Sequence, residues 1–547
     1  MTVSFVRQLG AESGVQLNPL KDNSELPSTD NSDQVFGIIM RATRGRIDKP
    51  FVVDAGTVYT KLGNGESMRV NALNEAWCHV VEALNNGAYE AVVMRLSTPK
   101  AKIKYAVCKK AEEGTGFEFE VADELPEDEF LFAVKHLECF NDGIKISLHA
   151  ESKQNNEGTD VGNDELTLRI LDKDDNQLYE FSGSLLADAL DEYGTSKYLP
   201  DIVASQTENV EVTVGVTGED AVIPAGSDAY DWNSETGMQK WAESGVLVCF
   251  DEGSTTYQTS DYVEARTKLQ RSPANYAYIS SGGTRATALL SQLAQLAYDT
   301  NRQLRFDIPG EYTPEAAIAF VKSLNFGANK CSHLMQAFWA PLKATDPTGI
   351  NPKGFIGVAT LNIALACGRN AQVNAKGFAP KNYPIAGREW QINRSNIVQT
   401  YFPSNQELSM LAKAKINPCL YEVYTGGGRY VFRDSLTCAP VEQSLRKLIA
   451  VVDMSTSVDD AVTRAAKDYL QLPMTVAVKN MQEFLRVYFE GAEASGWCVP
   501  SEDLGGAAYK YDVRPNEAKP YDCMDVSYWV RYDGTARQIF VTQTLSK

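Results

Sequence analysis

The strongest constraint on the fold is an alternation of short strand-like and helix-like segments in the middle of the chain. The strand-like segments cover residues 276–280, 304–308 and 333–338, and the helix-like segments between them cover residues 284–298 and 313–323. Within the second segment, Thr313 followed by Pro314 has the composition of a helix N-terminus. Strands connected through helices pair in parallel, so this stretch predicts a βαβαβ unit whose sheet is covered by helices.

A second pattern of this kind precedes it. Residues 35–40, 51–53 and 91–96 have the composition of strands, and residues 71–84 place apolar side chains at helical spacing. The helical pattern stops at the Asn-Asn-Gly sequence of residues 85–87. Together these segments predict a compact α+β unit.

Between the two patterns the chain changes character. Residues 101–215 are rich in strand-forming and acidic residues, and turn-forming clusters such as residues 154–158 and 172–176 separate the short runs. This composition predicts an antiparallel β domain that is inserted into the first unit.

The two ends of the chain are unusual. Towards the C-terminus we predict helices at residues 404–413, 441–453, 458–471 and 478–494, and strands at residues 525–532 and 537–545. The last strand lies almost at the C-terminus, without a further segment to pair with. At the other end, residues 1–33 are polar and turn-rich, which is typical either of a frayed terminus or of an arm that adds a strand to another subunit.

The charge balance limits the partners. The chain has 71 acidic and 52 basic residues and a formal net charge of −19. A surface that coats DNA or binds anionic lipid needs clustered positive charge, so we predict no direct nucleic acid partner. The sequence has neither a signal peptide pattern nor a run of about 18 apolar residues, so we also predict no membrane insertion. The ten cysteines are scattered singly, which is typical of reduced thiols in a cytoplasm.

Two glycine-rich segments lie where a phosphate could bind. Residues 280–284 lie between a predicted strand and a predicted helix, but they lack a Gly-x-Gly-x-x-Gly or Gly-Lys-Ser/Thr pattern, and the one nearby cation is Arg285. A tight turn is therefore the favoured interpretation. Residues 425–429 separate two predicted strands, which favours a hairpin.

Ionisable side chains show no catalytic pattern. The acids of residues 124–128 lie in a proline-containing connector, which favours a solvated loop over paired catalytic carboxylates. The four histidines are too few and too dispersed to predict a metal site or a general base; they are His79, His136, His149 and His333. His79 and His333 are interpreted as partly buried structural residues. We predict no catalytic residue, no cofactor and no metal. The alternative is an α/β enzyme that binds a nucleotide or sugar phosphate around Ser281 to Arg285 and Asp307.

Several local patterns follow one another in an order that is informative. Residues 35–45, 49–53 and 59–63 give an opening strand, a turn and a short helix. Residues 166–205 contain a run of the type Phe…Ser-Leu…Tyr…Ile-Val…Ser. Further on, the sequence Phe-Asp-Ile-Pro at residues 306–309 precedes Trp-Ala-Pro and Asp-Pro. In this order the patterns resemble the contractile tail sheath family of phage tails and related injection machines.

The resemblance implies a structural role. In this family six subunits form a ring, rings stack as a helix around a tube, and contraction drives the tube through the host envelope to deliver the genome. The implied partners are copies of the chain itself, a tail tube protein, and baseplate and tail terminator proteins. The implied location is the virion tail, after assembly in the cytoplasm of a host bacterium. Another virion protein, from the capsid or baseplate, is a further alternative.

The resemblance also implies inter-subunit strands and tube contacts. Strands at both ends are expected to pair with neighbouring subunits; their residues are Val3, Phe5, Val6, Ile539, Phe540, Val541 and Leu545. Lys479 and Arg486 are candidate contacts to an acidic tube, and an ordinary exposed helix face is the alternative. The sequence departs from the family pattern at Arg46, where the family usually has proline, and at residues 431–437.

A chain of 547 residues is too long for one hydrophobic core. The prediction is a multidomain protein of the α/β and α+β classes, with a parallel βαβ-containing core, an inserted antiparallel β domain and terminal strand-exchange arms. The predicted parts are an arm (1–33), an α+β segment of the core (34–100), the inserted domain (101–215), an α/β domain (216–390) and a C-terminal α+β domain that ends in an exchanged strand (391–547).

Overall fold

The computed structural model describes residues 31–112, 116–127, 130–230, 232–233, 237–328 and 330–545. The predicted N-terminal strand residues Val3, Phe5 and Val6 lie outside these ranges. Within them, none of the helices combines the length and the apolar composition that a membrane span requires.

One large sheet forms the centre of the molecule. Its first elements, with the helices between them, are β1 (Val35–Met40), β2 (Phe51–Val53), α1 (Val58–Leu62), α2 (Glu75–Asn85) and β3 (Glu90–Arg95). The chain returns to it, and to a small side sheet, through α4 (Thr259–Gln270), β16 (Tyr278–Ser280), α5 (Thr287–Thr300), β17 (Gln303–Ile308), α6 (Pro314–Leu324), β18 (Met335–Trp339), β19 (Leu342–Ala344), β20 (Gly354–Phe355), α7 (Ala359–Asn370), β21 (Val398–Gln399), α8 (Asn405–Lys413), β22 (Ile416–Tyr424) and β23 (Gly427–Phe432).

The described residues place eight strands in this sheet, in the order β2-β3-β1-β16-β17-β18-β22-β23. The six inner strands pair in parallel, and β2 and β23 pair antiparallel at the two edges. Helices α2 and α7 pack together on one face and α4 and α5 on the other. Because both faces are covered, a strand such as β17 is buried at every position, including its polar residues Gln303, Arg305 and Asp307.

The β-rich insertion follows β3. It contains β4 (Tyr105–Lys110), β5 (Phe117–Ala122), β6 (Phe132–His136), β7 (Ile144–His149), β8 (Lys153–Gln154), β9 (Asp160–Val161), β10 (Glu165–Asp172), β11 (Gln177–Ser184), α3 (Leu199–Gln206), β12 (Val210–Val214), β13 (Trp232–Asn233), β14 (Met238–Gln239) and β15 (Ala242–Glu243). Two antiparallel four-stranded sheets, β11-β10-β7-β15 and β12-β6-β4-β5, enclose a core of their own.

The insertion extends beyond the predicted boundary at residue 215. Strand β15 pairs with β7, and a bridge between Lys102 and Asp251 joins the two ends of the segment. The sequence analysis did not predict that the chain pairs with the insertion again at β15, because β15 is only two residues long and carries no strand-forming residue type.

The C-terminal part contains α9 (Ile449–Asp468), α10 (Met474–Ala494), β24 (Tyr509–Pro515) and β25 (Met524–Val530). The prediction of two helices at residues 441–453 and 458–471 is wrong, since α9 is one helix that begins later. The hydroxyls of Thr456 and Ser457, which interrupt the apolar pattern, donate to the carbonyl oxygens of Val452 and Asp453 at 2.8 Å each. These bonds let polar residues stay inside the helix.

Candidate functional site: an open C-terminal end

The crevice where an enzyme of this fold would bind a ligand is filled. In open α/β sheets that crevice lies at the carboxyl ends of the strands where the strand order reverses, which here is between β1 and β16. Gly282 and Gly283 follow β16 with positive φ angles of 57° and 70°. A Cβ atom at Gly283 would lie 2.5 Å from Cδ of Glu75, at the start of α2. The segment is therefore a tight turn that lets α2 enter the crevice.

Charged side chains inside this crevice are bound by side-chain or backbone groups of the protein. His79 Nε2 lies 3.2 Å from Glu75 Oε1, and Asp307 Oδ1 accepts hydrogen bonds from the amides of Val358 and Ala359 at 2.6 and 2.8 Å. Burial raises the pKa of Asp307. Burial opposes the charge of His79, but the Glu75 carboxylate outweighs it, so the pKa of His79 is raised.

The space left beside these groups is small. Glu75, Gly283 and Asp307 line a cavity of about 20 Å³, enough for a water molecule and too small for a phosphate group. Arg285 forms an ion pair with Glu311 at the surface. The crevice thus lacks the pocket that the enzyme alternative requires.

The other histidines are structural in the part of the chain that is described. His136 pairs with Glu138 at 3.2 Å, His149 Nδ1 lies 3.0 Å from the carbonyl oxygen of Lys240, and burial lowers the pKa of His333. No group of three possible ligands occurs among the described residues.

A cluster of buried arginines joins the insertion to the large sheet. Arg44 donates two hydrogen bonds to Asp142, at 2.9 and 2.5 Å, and its guanidinium lies 4.1 Å from the ring centre of Phe140. Arg95 is fully buried and donates to the carbonyl oxygens of Gly45 and Cys139 at 3.0 and 2.6 Å. We call this cluster the arginine junction; its members are Arg41, Arg44, Arg46 and Arg95.

The remaining members of the junction are also paired. Arg41 binds Glu252, at 2.6 Å, and Arg46 donates to both oxygens of Asp48, at 2.9 and 2.7 Å. The sequence analysis noted only Arg46 of this segment, as a departure from the family pattern. The density of arginine in so short a turn, next to an acidic segment, was the signal that it missed.

A second buried network holds α9 under the sheet. The Asp453 carboxylate on α9 lies 2.8 Å from Arg369 on α7 and 3.5 Å from Arg305 on β17. All three side chains are buried. The two guanidinium groups outweigh the effect of burial and lower the pKa of Asp453. The root of the N-terminal segment is bound nearby, because Asp33 pairs with Lys381 at 2.8 Å.

The C-terminal sheet is open. Strands β24 and β25 pair antiparallel over seven residues, and no other strand of the described chain pairs with them. One bridge between Cys498 and Tyr532 lies just beyond β25. The inner face packs on α10, where the ring of Tyr509 stacks on Phe489 at 5.1 Å. Such a two-stranded sheet presents unpaired backbone groups along its edges.

The last described residues contain the predicted inter-subunit strand. Among the described residues, 537–545 form no hydrogen-bonded strand. Their pairing with a neighbouring subunit stays a prediction. Four apolar side chains of this segment are 80 to 89% exposed; they are Ile539, Phe540, Val541 and Leu545. We call residues 538–545 the C-terminal arm.

An ion pair holds the root of this arm. Arg537 Nε donates to Asp434 Oδ1 at 2.8 Å, two residues after β23 at the edge of the large sheet. A cavity of about 480 Å³ lies beside the pair, between α8, β22 and residues 535–538. The arm therefore leaves the body at a fixed point and is exposed beyond it.

The candidate tube contacts lie on α10. Lys479 and Arg486 are both exposed. Arg486 is bound by Glu483 and Glu490, at 2.6 and 2.9 Å, so its charge is offset locally. This face of α10 is mixed in charge and is not a basic patch.

Comparison with solved structures finds similar folds. A crystal structure of a sheath tail protein from Desulfitobacterium hafniense has a TM-score of 0.46 at 11% identity and covers 92% of this chain and 93% of that one. The sheath complex of an extracellular contractile injection system (PVC) in its contracted state has a TM-score of 0.43 at 11% identity, with 98% and 99% covered. A protein of the anti-feeding prophage baseplate has a TM-score of 0.40 at 11% identity, with 55% and 77% covered.

Two of these proteins are sheath proteins, the class that the sequence resembles. No family model matches the chain, and no curated protein matches it.

Proposed function

We propose that the chain is the structural subunit of a contractile tail sheath, which assembles with copies of itself around a tail tube. The observation that supports this proposal is that one chain carries both halves of a strand-addition contact. The C-terminal arm is an exposed segment of β-forming residues, and the β24–β25 sheet has open edges.

The chemistry of the arm fits this use. Its exposed apolar side chains cost free energy in water, and an added strand would bury them and pair the free backbone groups. The arm begins at the Arg537–Asp434 pair, so it can reach a neighbour while the body keeps its fold. Backbone hydrogen bonds of this type survive a rotation of the bodies that repacks side-chain contacts.

In the proposed assembly, subunits form six-fold rings that stack around the tube, and contraction drives the tube through the envelope of a host bacterium for genome delivery. Baseplate and tail terminator proteins would contact the two ends. The N-terminal segment, with Val3, Phe5 and Val6, would supply a second strand. The subunits would be made in the host cytoplasm and located in the virion tail.

The first experiment is deletion of residues 538–547. The truncated protein should remain a folded monomer, and the full chain should form tubes of uniform width in negative-stain electron microscopy at high concentration. Long tubes from the truncated protein would refute the proposed role of the arm. Monomers of the full chain under all conditions, also with a tube protein, would count against the sheath.

A point substitution gives a matched pair. Val541→Pro removes a backbone N–H that a strand ladder needs, whereas Val541→Thr keeps a β-forming residue at the same place. We expect the proline variant to lose polymerisation and the threonine variant to retain it. Equal polymerisation of both would show that the arm does not add as a strand.

The tube contact is a separate part of the proposal. Lys479 and Arg486 are retained as candidates because they are exposed on one helix face, although Glu483 and Glu490 offset part of their charge. Reversal of both charges should weaken tube binding and leave self-assembly intact. Unchanged tube binding would remove these two residues from the proposal.

A further inference from the structure

The negative charge of this chain is concentrated in one part of the molecule. Residues 101–251, the insertion as its hydrogen bonds define it, contain 33 acidic and 11 basic residues. All other residues together contain 38 acidic and 41 basic residues. The insertion therefore has a formal charge of −22 and the remainder a charge of +3. The net negative charge of the chain thus comes entirely from the insertion.

Basic residues of the insertion offset only part of this charge. Lys102 pairs with Asp123 at 2.9 Å, and Lys197 pairs with Glu165 at 2.7 Å. Even if each of the 11 basic residues neutralised one carboxylate, 22 would remain. Six glutamates of the insertion are exposed and form no ion pair in the described structure; they are Glu112, Glu118, Glu124, Glu157, Glu192 and Glu219.

The acidic part and the strand-adding part lie at different ends of the large sheet. The insertion leaves the sheet after β3 and returns through α4, which packs on β1 and β3. The C-terminal arm is held at Asp434, just after β23. Six strand spacings separate β3 from β23, which is on the order of 30 Å.

We infer that repulsion between the insertions of neighbouring copies limits how closely this chain packs in its polymer, and that diffuse cations control assembly by screening it. The inference rests on the proposed self-assembly. Strand addition draws copies together at the nearly neutral end, while the insertions bring like charges together. Such repulsion extends about 30 Å at 0.01 M salt and about 8 Å at 0.15 M, so its strength depends steeply on salt.

The test compares three proteins across sodium chloride concentrations from about 20 mM to about 500 mM. The insertion variant carries glutamine at the six exposed glutamates named above. The control removes the same number of charges from exposed positions outside the insertion: Glu315→Gln, Glu389→Gln, Glu493→Gln, Glu502→Gln, Asp503→Asn and Asp522→Asn. Assembly is measured as the pelleted fraction, with electron microscopy of the pellet and far-UV circular dichroism of each monomer.

We expect wild-type assembly to increase with salt. The insertion variant should reach half-maximal assembly at a salt concentration at least about twofold lower, and the control should stay close to wild type. Salt-independent assembly of the wild type, or an equal shift in both variants, would overturn this inference and leave the proposed function standing. Failure of all three folded proteins to assemble at any salt concentration would overturn the proposed function and this inference with it.

Discussion

The insertion and the C-terminal end are attached to the same sheet, but they differ in how far their polar groups are paired and their apolar side chains are buried within the chain. At the arginine junction, Arg44 donates to the carboxylate of Asp142, and the fully buried Arg95 donates to the carbonyl oxygen of Cys139, both in the insertion. At the C-terminal end, β24 and β25 have open edges and the arm exposes four apolar side chains. In the first region buried charged groups find partners within the described chain, whereas the second leaves strand edges open and apolar side chains exposed.

The largest expected effect is at the junction. Arg95→Met should lower the free energy of unfolding by about 3–5 kcal/mol, because it leaves the carbonyl oxygens of Gly45 and Cys139 buried without donors. Urea denaturation measures this change. Arg514→Met, at a side chain that is 58% exposed, is the control and should change stability by less than about 0.5 kcal/mol. Equal losses of unfolding free energy in Arg95→Met and Arg514→Met would show that the buried junction contributes no more to stability than an exposed side chain.

Acid should lower the stability of the junction by protonating the carboxylate of Asp48. Burial opposes the charge of this carboxylate, but Arg46 outweighs that effect and lowers the pKa of Asp48 below its usual value of 3.8. A lowered folded-state pKa gives stability that is present above pH 3.8 and lost as the pH falls through the folded-state pKa.

The measurement is the unfolding free energy between about pH 6 and pH 3. Asp48→Asn should be less stable than wild type at the upper end and should lose less stability on acidification. The arm deletion is a control, since residues 538–547 contain no acidic residue and should not alter the pH profile. If the unfolding free energy of Asp48→Asn depended on pH as that of the wild type does, the attribution of this acid sensitivity to Asp48 would be refuted.

The Arg537–Asp434 ion pair at the root of the arm should affect assembly more than folding. Asp434→Asn weakens a partly exposed ion pair, so unfolding should change by no more than about 1 kcal/mol. Polymer yield should fall, because the arm loses its fixed exit, but by less than in the arm deletion. Pelleting and urea denaturation of the same preparation separate the two effects; a large loss of stability with normal assembly would contradict the expectation.

The smallest expected effect on stability is that of the arm deletion itself. The apolar side chains of the arm are at least 80% exposed, so their removal should change the unfolding free energy by less than about 0.5 kcal/mol. Thermal and urea unfolding of the monomer measure this. A larger loss would mean that the arm packs on its own body, and the contrast with the junction would disappear.

Local structure followed the sequence closely wherever neighbouring residues determine it. Thr313 accepts the hydrogen bond of the Ala316 amide with Pro314 at the first helical position, as the pattern predicted, and the glycines after Tyr424 form the β22–β23 hairpin. Helix α9 was mispredicted because its serine and threonine hydroxyls bond within the helix. The open arm was anticipated as a strand without a partner; whether it exchanges stays a prediction.

The sequence by itself determined the alternation of strands and helices, the acidic insertion and the β-forming segment at the C-terminus, since each depends on the order of nearby residue types. Only the tertiary structure decided what the arginines of residues 41–46 do, because partners such as Glu252 lie 211 residues from Arg41 along the chain. It also decided that α2 fills the crevice beside Asp307. Long-range pairing of buried charge depends on which surfaces meet, and local sequence does not specify that.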